Sequence, residues 1–424
     1  VYETGTPALA RPEVVIFGGG VAGLWLLDEL VRRGHDVLLL ESSRLGTGQS
    51  ISAQGIIHGG LKYSLAGSTT GSALGVKQLP RVWADCLAGR RDPDLSDVTV
   101  RSQTCFLWRG KSLGSRLGFL GARLGLEVTP RTVSSGERPA VLVGHPGSVA
   151  VIDEQVIDPG SLLACLATRH LHRIFLYDPD HTDWRLDGPG QVAELRIRHP
   201  WDSLPGATLQ IAPRSVVLAA GSGNAVLRER AGLVTGVMQR RPLHMVMVRG
   251  EAGRLPELCG HQVDGARTRM TITSSVDGEG RTVWQLGGQV AEDGVSMGRR
   301  ELVAHAAREL AEVLPGLELV SLEATSYRVD RAEAATEGGR RPETQSLLTD
   351  GNTITAWPTK LALAPVLAEQ VAGILEQMAP PAVPGVSVDL EAIDWPRPEV
   401  ARPPWETATG WLPLSATATS RRAA

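Results

Sequence analysis

From Glu13 to Glu41 the chain alternates two apolar runs with one amphipathic stretch: VVIF, a glycine-rich turn, GLWLLDELVRR, then VLLLE. Short β-branched runs bounded by glycine read as buried strands, and the longer stretch at helical spacing reads as the helix between them. Residues 46–75 then turn glycine- and serine-rich, too polar for a simple core element. Near Asp158-Pro159 the pattern clears again. The carboxylate can cap a helix and proline suits its first turn, so the run GSLLACLATRH is predicted helical. Residues 174–217 read as a β-meander with turns at 187–190 and near Pro205-Gly206, ending in a strand at Ser215 to Leu218. Across 233–330 the segments LHMVMVRG, RMTITSS and RTVWQLGG alternate polar and apolar positions, as in an antiparallel sheet covered on one face. A helix is predicted over 299–314 and another over Lys360 to Met378, while residues 1–12 read as a loose leader. Residues 379–424, rich in Pro, Thr, Ala and Arg, read as an extended tail that adds little to the core, or as one that Trp405 and Trp411 anchor across the cleft or onto a partner.

Composition narrows the classes. A chain of 424 residues suits two packed domains, and a net charge of −3 with scattered basic residues gives no footprint for nucleic acid. No apolar run is long enough for a membrane-spanning helix, and the opening VYETGTPALARPE has no basic-then-apolar secretion pattern. The expectation is a cytoplasmic chain, with contact at a membrane surface left open. The cysteines at 86, 105, 165 and 259 form no CxxC pair, and the histidines show no HExxH spacing, so no metal site is expected.

The strongest motif is Gly18-x-Gly20-x-x-Gly23 between the first strand and its helix. Gly18 permits the tight turn, Gly20 lets backbone approach a pyrophosphate, and Gly23 lets helix pack on strand. The helix start, at Val21 and Ala22, offers N–H groups and a positive dipole end to phosphates. Glu41, followed by Ser42, closes the second strand where a carboxylate can accept ribose hydroxyls. This order of elements predicts a bound dinucleotide, and the acid disfavours one carrying a 2′-phosphate. Taken alone, the strand SVVLAAGSGN is an ordinary strand-to-loop exit. In many flavoproteins such a strand returns to the first sheet near the dinucleotide, so only with the run at 46–64 do Ala220 and Gly221 point to FAD over NAD.

The run GTGQSISAQGIIHGGLKYS (46–64) carries a family resemblance. With the first motif it resembles the D-amino-acid oxidase and glycerol-3-phosphate dehydrogenase superfamily of FAD-dependent oxidoreductases, closest in motif to the L-2-hydroxyglutarate branch. The resemblance implies that Gln49, Ser50 and Ser52 lie along the pyrophosphate and that His58, Gly59 and Gly60 border the flavin ring. Small hydroxylated residues and paired glycines suit those places. His58 has three readings: a neutral histidine hydrogen-bonded in a glycine-rich loop, a group acting on substrate, or, as the resemblance to amine-oxidising relatives implies, a covalent link to FAD. Farther on, Arg341-Pro342, the Asp350-Gly351 turn and Thr359-Lys360-Leu361 follow the family's order. Trp357-Pro358 stands where the family has glycines before its last helix, which puts the flavin contact there in doubt. Arg341 is either a solvated charge beside Arg340 or the anchor of a substrate carboxylate, with Arg328 and Lys360 as weaker candidates.

The expected fold is therefore α/β: a discontinuous Rossmann-like FAD-binding domain (13–80, 149–225 and 325–378) joined to an antiparallel β-sheet substrate domain (81–148 and 226–324), with 379–424 as a C-terminal extension. The expected activity is removal of a hydride from a small anionic substrate, foremost a 2-hydroxy acid. An amino acid, a secondary amine and glycerol 3-phosphate are the alternatives, with oxygen, a quinone or an electron-transfer protein as acceptor. A flavin-binding protein without catalysis is the reading from another class.

Overall fold

A computed structural model describes residues 9–58, 72–110, 130–200, 208–251, 253–264, 267–342, 344–378 and 393–414. Two sheets organise it. The first has six strands in the order Ser346–Asp350, Thr353–Trp357, Ser215–Leu218, Val14–Phe17, Val37–Glu41, Ile174–Leu176. All its pairings are parallel except the edge hairpin that joins Ser346–Asp350 to Thr353–Trp357. Its strands read as unbroken apolar runs because both faces are buried. Val14, Ile16, Val37 and Leu39 turn toward the helices Val21–Arg32, Pro159–Arg169 and Ala364–Met378. Val15, Phe17, Leu38 and Leu40 turn the other way, onto the meander Thr182–Gly188, Gln191–Arg198 and Thr208–Ile211. Leu9–Ala10 adds a fourth strand to that meander, so the end of the expected leader is paired.

Asp158 caps its helix as expected, accepting from the Ser161 N–H at 2.6 Å. The last helix begins with a 3-10 turn at Leu361–Leu363 before Ala364, and the helix expected over 299–314 runs Arg299–Val313.

The second sheet has nine strands, ordered Leu412–Pro413, Glu323–Ala334, Met238–Gly250, Thr282–Gly287, Arg267–Val276, Gly260–Asp264, Cys105–Trp108, Val149–Ile152 and Arg131–Thr132. Val246, Val248, Trp284 and Leu286 meet Leu302, Ala306 and Leu310 of the helix Arg299–Val313. Val149–Ile152 and Glu323–Ala334, which the sequence reading grouped with the dinucleotide fold, pair in this sheet instead. The apolar run of Val149–Ile152 fits either layer and only its ladder partners decide, whereas the largely polar EATSYRVDRAEA suits the antiparallel sheet. Among the described residues no helix is long and apolar enough to cross a membrane.

The C-terminal segment differs from the expected loose tail. The Leu176 N–H donates to Pro396 O at 2.8 Å, and the Trp395 indole N–H returns to Leu176 O at 2.7 Å. Leu45 is bracketed by Glu399 and Ala401 through backbone bonds of 2.8 and 2.9 Å. Trp405 lies buried with Met247 and Val283, and Leu412–Pro413 pairs with Glu323 and Ala324. Low hydrophobic content favours a loose tail, yet a few tryptophans, Trp405 and Trp411 among them, and backbone bonds hold the strand-like segment. Deleting residues 400–424 is expected to lower the melting temperature, since loss of a buried Trp alone costs about 3–5 kcal/mol. A melting curve identical to that of the whole chain would show the segment to be dispensable.

Candidate active site

The glycine turn is built as its sequence requires. Gly18 has φ +109°, and a Cβ there would lie 2.6 Å from Ala220 Cα on the neighbouring strand's exit. A Cβ at Gly23 would lie 1.9 Å from Gly18 O, so helix and turn touch only because both residues are glycine. At Gly20 the one nearby atom is Ser50 Oγ at 3.0 Å, and beyond it the space is open cavity. That cavity has a volume of about 610 Å³. Its wall includes Gly18, Gly20, Val21, Ala22, Glu41 and Ser42 from the first strand–helix–strand unit. Gln49, Ser50, Ser52, Ala220, Gly221, Lys360 and Leu361 complete it, and Gly23 stays behind as the packing residue.

Glu41 Oε2 accepts the Gly19 N–H at 2.6 Å and Oε1 accepts that of Ser43 at 2.9 Å. Burial pushes its carboxyl above the usual range against the pull of these N–H donors. Each oxygen keeps a second acceptor site for a ribose hydroxyl. Ser50 Oγ accepts the Val21 N–H at 3.1 Å, which leaves its own O–H to donate to a phosphate. Gln49 Oε1 accepts the Ala332 N–H at 3.1 Å and so ties this loop to the nine-stranded sheet.

The loop before the last helix shows how the chain manages without the family's glycines. Thr359 takes φ +64°, the left-handed conformation that glycine adopts without strain. A β-branched residue is held there only by its surroundings. Thr359 Oγ1 donates to Thr344 O at 2.8 Å, and the Lys360 N–H closes on Pro358 O at 2.6 Å. The turn therefore survives, with Lys360 and Leu361 on the wall of the large cavity and Thr359 on that of a second one.

The second cavity, about 360 Å³, shares Gln49, Ser52, Ala53, Val329, Lys360 and Leu361 with the first, so the two are neighbours along one wall. His58 and Arg341 line it, as do Arg267, Arg331 and Glu292. His58 is set in a buried relay. Its Nδ1 lies 3.3 Å from Glu154 Oε2, and His261 Nε2 lies 3.4 Å from the same oxygen. Glu154 is only 2% exposed. Burial alone would raise its carboxyl, but His58 and His261 outweigh that and hold it well below the usual carboxylate range. A carboxyl lowered on folding adds stability above its ordinary value and loses it as pH falls through the folded one, so Glu154 stays ionised at neutral pH. Beneath the loop, Tyr327 donates its hydroxyl to Ser52 O at 3.1 Å, and Gln285 Nε2 donates to Tyr327 at 2.9 Å.

Arg331 is the best-buried cation of this wall. Its Nη2 reaches Glu292 Oε1 only at 3.3 Å, and its buried Nε has no hydrogen-bond partner among the described residues. Burial, then the neighbouring Arg241 and Arg341, push its guanidinium below the ordinary value. Arg341 itself is exposed. Arg328, on the wall of the large cavity, donates to Val295 O and Met297 O at 2.8 and 2.9 Å. Gly59 and Gly60 lie outside the described residues. Sequence reasoning missed Glu154, His261 and Arg331. The signal available was an acid directly after an apolar strand (VAVIDE) and an arginine inside an otherwise alternating strand.

A glycine turn on a helix start, an acid at the end of the second strand and an open serine-lined cradle suit a dinucleotide. The FAD dependent oxidoreductase family, DAO, matches residues 13–354, and the chain belongs to it. It is an FAD-dependent oxidoreductase, and the cradle fits that cofactor. A protein named "Probable FAD-dependent oxidoreductase PA4991", from Pseudomonas aeruginosa, is 36% identical over 413 residues, which span 95% of this chain and 99% of the relative. The crystal structure of PA4991 superposes with TM-score 0.78 at 34% identity, covering 94% of this chain and 99% of that one. Glycine oxidase from Geobacillus kaustophilus is 28% identical over 243 residues, 54% of this chain and 59% of the relative. L-alpha-glycerophosphate oxidase from Mycoplasma pneumoniae, solved with FAD bound, shares the fold at TM-score 0.62 and 14% identity, over 89% of this chain and 97% of that one. None of these names carries a 2-hydroxy acid, and the resemblance to the 2-hydroxyglutarate branch rests on residues 49–63.

Proposed function

We propose that this enzyme oxidises a small 2-hydroxy acid, with the six-stranded layer holding FAD and the nine-stranded sheet roofing the substrate. The observation that carries this reading is the His58–Glu154 pair in the wall of an arginine-lined cavity. FAD supplies the oxidising chemistry by taking the hydrogen of the reacting C–H as a hydride. The protein then has two tasks, to hold the anion and to receive the hydroxyl proton. A hydroxyl keeps its proton at neutral pH, so it needs a base as the C–H bond breaks. His58 takes that proton, and Glu154 fixes the imidazole and stabilises its charged form, as a buried carboxylate does in other histidine relays. An amine can shed its extra proton to water beforehand and needs no such relay. Arg331 and Arg341 face the same cavity and suit a carboxylate, which a guanidinium grips through two parallel charge-assisted bonds.

A second reading has its own support. Glu292 stands in the same wall and could receive an ammonium group, and one relative is named glycine oxidase. Anaerobic mixing with 2-hydroxy acids, amino acids and glycerol phosphate, following the flavin absorbance, separates the two. A 2-hydroxy acid is expected to bleach the flavin fastest, and His58→Ala to slow that bleaching roughly 10²- to 10⁴-fold with little change in substrate affinity. Bleaching by amino acids or glycerol phosphate alone would replace the reading.

A further inference from the structure

The three groups around Glu154 have a geometry that a proton relay does not require. Charge-assisted N–H···O bonds are usually about 2.7–2.9 Å long. Here the two nitrogens stand 3.3 and 3.4 Å from a single carboxylate oxygen, and the three ligand atoms lie within 4.8 Å of one another. Zinc binds imidazole nitrogen and carboxylate oxygen at about 2.0–2.2 Å, and the edge of a tetrahedron of that radius is about 3.3–3.6 Å. Two of the spacings therefore match the edges of a metal's ligand shell better than direct hydrogen bonds.

We infer that His58, Glu154 and His261 form a binding site for a divalent metal ion of the zinc class. Two imidazoles and one carboxylate are a donor set that zinc accepts, with one position left for a further ligand. The outer shell supports it. His261 Nδ1 meets Thr271 Oγ1 at 3.0 Å, which orients the ring and leaves Nε2 turned toward Glu154. Glu154 and His261 are 2% and 5% exposed, so the carboxylate is a fixed, desolvated charge and not one of many solvated surface acids. His58 and Thr271 belong to the wall of the 360 Å³ cavity, so the site lies beside the space where the arginines gather. The three ligands come from positions 58, 154 and 261, on a loop and beside two different strands, which is why no short spacing in the sequence announces them. The site concerns binding and stands whatever the substrate proves to be. With Nδ1 on the metal the neutral His58 ring carries its proton on Nε2 and cannot be the base, so the metal-loaded and proton-accepting states exclude each other.

The test is a zinc titration of the FAD-loaded protein against a chromophoric chelator. The intact enzyme is expected to take up one equivalent at micromolar free zinc. Glu154→Gln and His261→Ala are expected to lower the affinity more than about 100-fold, beyond the 10–100-fold that loss of an outer partner costs. Thr271→Val, which removes only the ring's orienting bond, is expected to lower it about 10-fold and serves if the other two do not fold. Flavin content checks the fold of each. Absence of uptake by the intact enzyme, or equal uptake by it and all folded variants, overturns the site.

Discussion

Gly20→Val is expected to yield a folded protein that does not hold FAD. The residue starts the helix at φ −77° and ψ −179°, which valine tolerates, and the one atom its Cβ would meet is Ser50 Oγ, the end of a small side chain. The rest of the valine enters the cradle, where the dinucleotide belongs. A side chain in the space that the pyrophosphate must occupy excludes it, so the flavin should be lost with little change in the melting temperature of the cofactor-free chain. Gly23→Val should behave differently. Its Cβ meets the Gly18 carbonyl at 1.9 Å, backbone against backbone, so the helix itself must move and stability should drop with or without FAD. Absorbance of the purified proteins and their melting curves give both readouts. A Gly20→Val protein with a full complement of flavin would refute the placement of the pyrophosphate.

Removal of the Arg331 guanidinium is expected to cost more than removal of that of Arg341. Both line the smaller cavity, but the Arg331 side chain is only 16% exposed and Arg341 is exposed. A cation largely out of water, beside like charges and weakly met by Glu292, gains most from an arriving carboxylate. Arg331→Met should lower kcat/KM about 10²- to 10³-fold, equivalent to about 3–4 kcal/mol. Solvent screening limits Arg341→Met to roughly fivefold, the upper end for a surface pair. Arg331→Lys should recover only part of the loss, because an ammonium cannot make the two-pronged contact. Steady-state kinetics with the substrate found in the anaerobic screen decide the order. A larger loss at Arg341 would return the anchor to the place that the sequence suggests.

The dinucleotide cradle was legible because its parts are contiguous. Strand, turn, helix, strand and acid follow one another within Val14–Glu41, and each glycine has a local reason. The Ser215–Leu218 strand was legible for the same reason, as an apolar run leading into Ala220 and Gly221. The substrate side was not. Glu154, His261 and Arg331 each look ordinary in their own segment and acquire meaning only when the nine-stranded sheet brings distant strands together. Sheet membership was equally hidden for Val149–Ile152, whose apolar run would suit either layer, while the largely polar Glu323–Ala334 pointed to the antiparallel sheet. Thr359 shows the converse case. The missing glycine was visible, but only the backbone shows a threonine held in glycine's conformation.

The C-terminal segment also sets an order of assembly. A Cβ on Gly19 would lie 2.3 Å from Leu45 Cδ2, so Leu45 packs directly against the phosphate turn. The residues that brace Leu45 are Glu399 and Ala401, more than 350 positions later in the chain. A contact of such sequence separation forms late, because the loop it closes must first be brought together. On the ribosome, the turn is made first and its brace more than 350 residues later. Flavin loading in full is therefore expected to await synthesis of residues 395–401, and a fusion or truncation that disturbs them should reduce cofactor content without touching a single residue of the cradle.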